Sequence, residues 1–239
     1  MKKTDRYSEI IAFKLGSPLP YKCIEMKLKE LPNNERQRIL RFHKLEDQQR
    51  TLFASLFIRK RLRILLPLPV HDLSIKRDQN GRPYLENFYG WEGDFNLSHS
   101  GEWIISGVTT TGRIGVDVEE VRPIDLSISK LCLTQEEIDH LQNTPPERQL
   151  SFFFSIWTLK EAFVKAIGQG LLFPMDSFGF DMDDWSQNKI SIRNTNLSFS
   201  QFYFRLYQLG KNYIVAVCCT DLEHINNLCI KIMDRSDFL

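Results

Sequence analysis

The chain has 239 residues, of which 42% are hydrophobic and 26% charged, which suffices for one large domain or two of about 120 residues each. Its formal net charge of +1 gives little reason to expect nucleic acid as a partner. The five cysteines form no C-x-x-C pair, and no apolar run has the length of a membrane span or signal peptide, so we expect a cytoplasmic protein without disulfides or a membrane partner.

The first half predicts one strand, one long helix and several short strands. Residues 10–15 have the pattern of a strand that ends at Gly16. Apolar pairs at 52–53 and 56–57 recur at the spacing of one buried helix face, which predicts a helix over about 47–66. Short strands are predicted at 73–75, 95–98 and 103–108, with a turn at 80–83 between the first two.

The second half repeats this order of elements. A strand is predicted over 114–118, and Thr134 to Glu137 match a capping box that begins a short helix. A long helix is predicted over 147–167 and ends at Gly168, which is typical of a left-handed C-cap. Short strands follow at 178–180, 190–192, 202–207 and 213–219.

Each half therefore predicts a long helix packed on a mainly antiparallel sheet, which is an α+β pattern. The similar order of elements hints at two similar α+β subdomains in a pseudo-twofold arrangement. We place the boundary in the polar stretch that ends at Gly112, which divides the chain into an N-terminal half, 1–112, and a C-terminal half, 113–239.

Two acidic residues stand out on the strand at 114–118 and just beyond it. Asp117 and Glu119 point to one face, with their positions roughly 6.5 Å apart. Carboxylates this close repel unless a cation lies between them, and such hard oxygen ligands suit Mg²⁺. A solvated strand edge with two surface acids is the alternative, and the D-x-E pattern alone would favour it. Val116 and Val118 favour the metal interpretation, because they bury the opposite face.

A third carboxylate lies on the second long helix. Glu161 and Lys165 are four residues apart and share a helix face, which is also the pattern of an ordinary surface salt bridge. Trp157 lies on the same face one turn earlier. A carboxylate beside such apolar bulk is partly desolvated, which raises its proton affinity and suits a general base.

One polar segment offers donors for a phosphate group and two others are basic, and each has an ordinary structural interpretation. Ser98 and His99 follow a strand, and the alternative there is a simple turn histidine. The segment Gly81-Arg82-Pro83 is a cationic turn. Arg50 and Thr51 end a basic group that is equally typical of a solvated helix face.

Taken in order, these motifs resemble the 4′-phosphopantetheinyl transferases, specifically the surfactin-synthetase-activating type. The resemblance runs from about Asn34 to Cys219, and the helix motif has the W-x-x-K-E-A form of this subgroup. The segments that carry it are 42–52, 81–83, 95–101, 115–119 and 157–165, with Gly170 and Leu171. The chain departs from the family at Glu35, where a lysine is common, and keeps Arg36 and Arg38 nearby.

The resemblance implies a monomeric enzyme that transfers the 4′-phosphopantetheine arm of coenzyme A to a serine of an apo acyl or peptidyl carrier protein and releases 3′,5′-ADP. Carriers of nonribosomal peptide synthetases and polyketide synthases are among the possible partners. Asp117, Glu119 and Glu161 would hold Mg²⁺, with Mn²⁺ as an alternative. Glu161 would also be the catalytic base, and Lys165 would steady the phosphates. The residues implied for coenzyme A binding are Arg50, Thr51, Gly81, Arg82, Pro83, Ser98, His99, Asp117 and Lys165.

Two further expectations concern the partner and the competing functions. The segment 121–133 is too apolar for a solvated loop, so we expect carrier docking there, and the alternative is that its side chains pack under the second half. An inactive carrier-binding homologue is a competing function, but the complete set of carboxylates with Lys165 argues against it. An unrelated Mg²⁺ phosphohydrolase is another, but no residue stands out that would position a water.

Overall fold

The first half of the chain contains the first long helix and five of the strands. The structure is a computed structural model that describes residues 7–66, 73–86, 91–170, 173–181, 190–193 and 202–234. The elements of the first half are β1 (Ser8–Lys14), α1 (Tyr21–Leu28), α2 (Asn33–Leu40), α3 (Leu45–Leu65), β2 (Ile75–Arg77), β3 (Pro83–Leu85), β4 (Asp94–Ser100) and β5 (Trp103–Thr109).

The second half contains the other long helix and the remaining strands. Its elements are β6 (Ile114–Glu120), a 3₁₀ helix at Leu126–Leu131, α4 (Gln135–Asn143), α5 (Pro146–Ile167), a 3₁₀ turn at Met175–Ser177, β7 (Gly179–Phe180), β8 (Ile192–Arg193), β9 (Tyr203–Leu209), β10 (Tyr213–Cys219), α6 (Leu222–Asn227) and β11 (Ile230–Asp234). None of the helices in the described ranges is both long and apolar enough to cross a membrane.

The strands form two main sheets. The first has the order β11-β1-β5-β4, in which β1, β5 and β4 pair antiparallel and β11 pairs parallel with β1. The second has the order β6-β10-β9 and is antiparallel throughout. The pairs β2–β3 and β7–β8 form two small antiparallel sheets. Mainly antiparallel sheets with separate helices confirm the predicted α+β class.

Each long helix covers one of the two main sheets. In the first half, Phe53 and Phe57 of α3 lie 6.0 and 5.4 Å from the ring of Phe13 on β1, centroid to centroid. In the second half, Phe163 of α5 packs against Phe204 of β9 with ring centroids 5.9 Å apart. The division of the chain at Gly112 stays a prediction. It did not anticipate that β11, which belongs to the second half, pairs with β1 in the sheet of the first half.

The predicted helix ends are close to those observed. Thr134 and Glu137 make both bonds of the capping box at the start of α4. Gly168 has a φ of 75°, so α5 ends in the predicted left-handed C-cap. The short helices α1 and α6 and the strand β11 were not predicted. Predicted strand residues 202–207 lie in β9 apart from Phe202, whereas 190–192 contributes only Ile192 to β8.

A buried ion pair fixes α5 on its outer side. The ammonium of Lys160 lies 2.7 Å from a carboxylate oxygen of Glu137, and both side chains are fully buried. It also donates to the carbonyls of Met175 and Phe178, at 2.7 and 2.6 Å. Burial lowers the pKa of Lys160, and the charge of Glu137 opposes that shift. The pair joins α4, α5 and the segment before β7. Removing one partner would leave the other charge buried without a counter-charge.

The two main sheets meet where β4 lies beside β6, which we call the β4–β6 seam. In place of a backbone ladder, side chains of β4 accept from the backbone of β6. The carboxylate of Asp94 accepts from the N–H of Ile114, and the amide oxygen of Asn96 accepts from the N–H of Val116, each at 3.0 Å. These bonds satisfy buried donors that would otherwise be left unpaired.

Gly115 lets α5 lie directly on β6. A Cβ atom at this position would be 1.9 Å from the carbonyl oxygen of Ala162 and 2.7 Å from the amide nitrogen of Ala166. The glycine therefore sets how closely the helix that carries Glu161 and Lys165 approaches the strand that carries Asp117.

We expect Gly115→Ala to lower the free energy of unfolding by about 3 kcal/mol, because the added methyl forces a helix backbone away from a strand. The matched control is Gly210→Ala, where φ is 60° and the added Cβ meets no atom within 4 Å. The control has only backbone strain and should lose about 1 kcal/mol. Urea unfolding measures both, and equal losses would contradict the packing argument.

Candidate functional site

The structure brings Ser98, Asp117 and Lys165 together. The ammonium of Lys165 lies 2.5 Å from Oδ1 of Asp117 and 3.0 Å from the hydroxyl of Ser98. Ser98 also donates to Oδ1 of Asp117 at 2.7 Å. Asp117 is buried, and its other oxygen, Oδ2, has no hydrogen-bond partner among the described residues. The seam and the α5 helix thus converge on this carboxylate.

Glu119 is held from two sides. The indole N–H of Trp157 donates to its Oε1, and the hydroxyl of Ser100 donates to its Oε2, both at 3.2 Å. Burial raises the pKa of Glu119, and the negative charge of Asp117 raises it further. Sequence reasoning placed Trp157 on the right helix face but missed its bond to Glu119, as well as the contribution of Ser100.

Glu161 completes the acidic group from α5. It is only 7% exposed, and its Oε1 has no hydrogen-bond partner in the described part of the chain. Burial raises the pKa of Glu161 to about 7, with Asp117 and Glu119 adding to the effect and Lys165 opposing it. A carboxylate with this pKa can exchange a proton near neutral pH.

Lys165 keeps its charge at this site. Burial alone would lower the pKa of its ammonium, but the adjacent Asp117 and Glu161 more than offset that effect, so the pKa lies above its ordinary value. The ammonium of Lys165 therefore faces the carboxyl groups of Asp117, Glu119 and Glu161. The site has an excess of negative charge whenever these groups are ionised.

Asp117, Glu119 and Glu161 are the candidate ligands for a divalent metal at this site. Within the described ranges, no group of three or more His, Cys, Asp or Glu side chains has the arrangement of a metal site. The donor set nevertheless fits a hard cation, because Asp117 and Glu161 each present a buried carboxylate oxygen without a partner. Burial is the main cause of the raised pKa of Glu119 and of Glu161, and the negative charge of Asp117 adds to it in both.

A cleft of about 280 Å³ opens beside these groups. One wall is the turn with Gly81, Arg82 and Pro83, and the other is the face of α5 with Glu161 and Lys165. The remaining lining residues are Arg77, Asn80, Asn96, Leu97, Val164, Gly168 and Gly170. Although Arg82 lines the cleft, its guanidinium is bound to Asp94 and to the carbonyls of Lys165 and Ile114.

The cleft lining in the described ranges does not include three of the residues predicted to bind coenzyme A, which are Arg50, Thr51 and His99. Arg50 donates to Asp47 at 2.6 Å and to the carbonyl of Gly101 at 3.1 Å, beside a separate pocket of about 180 Å³. Thr51 is buried within α3. Burial lowers the pKa of His99, and the positive charges of Lys165 and Arg50 lower it further. Arg50 and Thr51 are not among the described residues that line the cleft, and their contact with a ligand stays a prediction.

Comparison with known proteins agrees with the motifs. Residues 113–218 match the family model of the 4′-phosphopantetheinyl transferase superfamily, and residues 19–110 match that of the 4′-phosphopantetheinyl transferase N-terminal region. The chain is 31% identical to 4′-phosphopantetheinyl transferase psf-1 of Bacillus pumilus, over 82% of this chain and 83% of the relative. It is 29% identical to 4′-phosphopantetheinyl transferase Sfp of Bacillus subtilis, over 88% and 91%.

The raised pKa of Glu161 predicts a pH-dependent stability in the ligand-free protein. The folded protein binds this proton more tightly than the unfolded chain, so the contribution of Glu161 to stability falls as pH rises from 4.5 to about 7. Glu161→Gln removes that fall and should stabilise the protein at pH 8 by about 1–3 kcal/mol, with a much smaller gain at pH 5.

Urea unfolding at the two pH values measures this difference. Glu136→Gln is the control, because Glu136 forms an exposed pair with Arg193 and should change stability little at either pH. If Glu161→Gln gives the same change at pH 5 and pH 8, the buried carboxyl does not titrate as described.

Proposed function

The chain belongs to the 4′-phosphopantetheinyl transferase superfamily, and we propose that it transfers the 4′-phosphopantetheine arm of coenzyme A to a serine of an apo carrier protein. The observation that carries this proposal is the convergence of Asp117, Glu161 and Lys165 beside a cleft whose other wall is the turn 81–83. Relatives named as such transferases match more than four fifths of the chain. Nothing in these comparisons favours an inactive carrier-binding homologue.

In the proposed reaction, the carrier serine hydroxyl attacks the β-phosphorus of coenzyme A. A bond forms between the serine oxygen and this phosphorus, and the bond from the phosphorus to the bridging oxygen breaks. The leaving group, 3′,5′-ADP, departs with that oxygen. Glu161 takes the serine proton, because its carboxylate is buried at the wall of the cleft and Oε1 has no hydrogen-bond partner among the described residues.

Lys165 is proposed to steady the phosphates. Its raised pKa keeps the ammonium charged, and its position at the cleft wall puts a fixed positive group where negative charge moves during transfer. In phosphoryl transfer the protein mainly positions groups and stabilises charge, so this contribution acts on the transition state. Ser98 orients the ammonium and Asp117 together through its two hydrogen bonds.

We propose that Asp117, Glu119 and Glu161 hold Mg²⁺, with Mn²⁺ as an alternative. Support comes from the unpartnered carboxylate oxygens of Asp117 and Glu161. When bound, a divalent cation neutralises charge on the pyrophosphate of the substrate. Trp157 and Ser100 hold Glu119 in place for this role through their bonds to its two oxygens.

Coenzyme A is the proposed occupant of the cleft. The turn 81–83 is proposed to contact the adenosine of coenzyme A. The residues proposed to bind the 3′-phosphate of that adenosine are Ser98, His99, Arg50 and Thr51. The monomeric state, the cytoplasmic location and the absence of nucleic-acid and membrane partners stay predictions from the sequence. So does the assignment to carriers of nonribosomal peptide synthetases or polyketide synthases.

The segment 121–133 is the proposed carrier-docking surface, and the structure separates its inward and outward side chains. Leu133 is buried, and Ile124 and Leu126 pack against the core around α5. Ile128 and Leu131, both in the 3₁₀ helix, are 46% and 78% exposed. The last two side chains are therefore the proposed apolar contacts for the carrier.

Incubation with coenzyme A, Mg²⁺ and an apo carrier domain, followed by intact mass, tests the activity. The carrier should gain one phosphopantetheine arm, and EDTA should prevent the gain. Asp117→Ala and Glu161→Gln should each slow single-turnover transfer by at least ~100-fold, because charge neutralisation or proton acceptance is lost. Glu136→Gln serves as the active control. Parent-like transfer by Glu161→Gln, or no mass gain with any apo carrier, would refute the assignment.

Leu131→Asp tests the docking surface. A charge at an exposed apolar contact should raise the KM for the carrier by roughly 10-fold and leave the Kd for coenzyme A unchanged. Leu222→Asp is the matched control, since Leu222 is also exposed but lies on α6. Steady-state kinetics and calorimetry measure the two constants. Equal effects of the two substitutions on the KM would argue against docking at the 3₁₀ helix.

A further inference from the structure

Arg82 stands in the substrate cleft, but its guanidinium points into the protein. The side chain is 8% exposed and forms a buried pair with Asp94 across the start of the β4–β6 seam. The same guanidinium donates to the carbonyl oxygens of Lys165 and Ile114. One side chain of the turn thus contacts β4, the first residue of β6 and the last turn of α5.

A second side chain of the same turn also reaches the end of α5. The amide nitrogen of Asn80 donates to the carbonyl oxygen of Gly168 at 2.7 Å. The last carbonyls of a helix have no partner within the helix, so they need hydrogen-bond donors from elsewhere. Arg82 and Asn80 donate to two carbonyls at this end. The turn that contains them lies in the first half of the chain and caps the C-terminal end of α5.

We propose that Arg82, together with Asp94 and Asn80, is a positioning residue that fixes Lys165 and Glu161 against Asp117. This inference rests on the proposed transferase function and deepens it. It assigns Arg82 to the placement of α5 relative to β6, whereas the resemblance to the family suggested a contact with coenzyme A. In this proposal the backbone of the turn remains available to contact coenzyme A, while the side chains of Arg82 and Asn80 bind the end of α5.

The geometry explains why one pair has this effect. Lys165 is held at both ends, because Arg82 binds its carbonyl while Asp117 and Ser98 bind its ammonium. The carboxylate of Asp94 also accepts from the N–H of Ile114, the first residue of β6. The Arg82–Asp94 pair is therefore bonded to both elements that carry the reacting groups. A misplacement of about 1 Å at such groups can slow a reaction by ~100-fold.

The charge of Arg82 also separates a positioning role from a ligand role. Asp94 neutralises the guanidinium, and the pair is buried, so Arg82 adds little net attraction for phosphate. A ligand contact acts on the affinity for coenzyme A. A positioning residue acts on the rate at saturating coenzyme A, because it changes the alignment of the reacting groups and leaves ground-state binding nearly intact.

The first experiment compares Arg82→Gln, Asp94→Asn and the double variant. We expect each to slow single-turnover transfer by about 10- to 100-fold at saturating coenzyme A and carrier, with the calorimetric Kd for coenzyme A within about threefold of the parent. The double variant should lose little more than either single one, because both break the same pair. Lys76→Ala is the control, since Lys76 pairs with Glu86 on the exposed side of the β2–β3 hairpin. A Kd raised at least ~10-fold with an unchanged rate would overturn the proposal.

The second experiment does not depend on activity. Hydrogen exchange of the peptide over 160–170 should be faster in Arg82→Gln and in Asn80→Ala than in the parent, while the first turns of α5 keep their protection. Asn80 is exposed, so its substitution leaves the core intact, and unchanged exchange in Asn80→Ala overturns the capping role. If the parent transfers no phosphopantetheine, the proposed function fails, and the exchange result still decides whether the turn holds α5.

Discussion

The two main sheets of this protein meet through side chains, whereas neighbouring strands within each sheet are joined by backbone. Along the β4–β6 seam, every second residue of β4 contributes a polar group that bonds to β6. Buried backbone donors must find partners, so this alternation is a structural requirement before it is a catalytic one. Because the same alternation continues through Ser98 and Ser100, the seam that joins the sheets also orients Asp117 and Glu119.

The site concentrates charge that the rest of the fold must hold in place. Three carboxyl groups face one ammonium, and a buried carboxylate oxygen without a partner costs free energy. The compensation comes from both sides of α5. Gly115 allows its inner face to lie directly on β6, and the ion pair of Lys160 with Glu137 anchors its outer face. The aromatic core around Phe163 adds a large apolar contact between these two attachments.

The sequence predicted what local periodicity can encode. The long helices, the left-handed cap at Gly168 and the capping box at Thr134 all follow from patterns within a few residues. The shared face of Asp117 with Glu119, and of Glu161 with Lys165, follows from the same rules. The polar alternation at 94, 96, 98 and 100, between apolar residues at 95 and 97, is a local signal for the seam that the sequence reasoning did not use.

Contacts between distant segments were not predictable in this way. The direction of the Arg82 guanidinium depends on Asp94 and on the end of α5, which lie 12 and 83 residues away in the chain. The motif at Arg50 indicated a charge, but its bond to the carbonyl of Gly101, 51 residues away, is decided by the fold. The parallel pairing of β11 with β1 joins segments about 220 residues apart, and the sequence of neither segment contains a signal that identifies its partner.

That parallel strand has a consequence for the edge of the first sheet. Without β11, strand β1 would be an open edge with a row of free N–H and C=O groups beside an apolar core. The five residues of β11 cover that edge, and the new edge that they create is short and carries Lys231 and Asp234 on either side of the exposed Ile232. Proteolytic removal of this strand would therefore expose a sheet edge that can pair with another chain, while the cleft beside the turn 81–83 stays untouched.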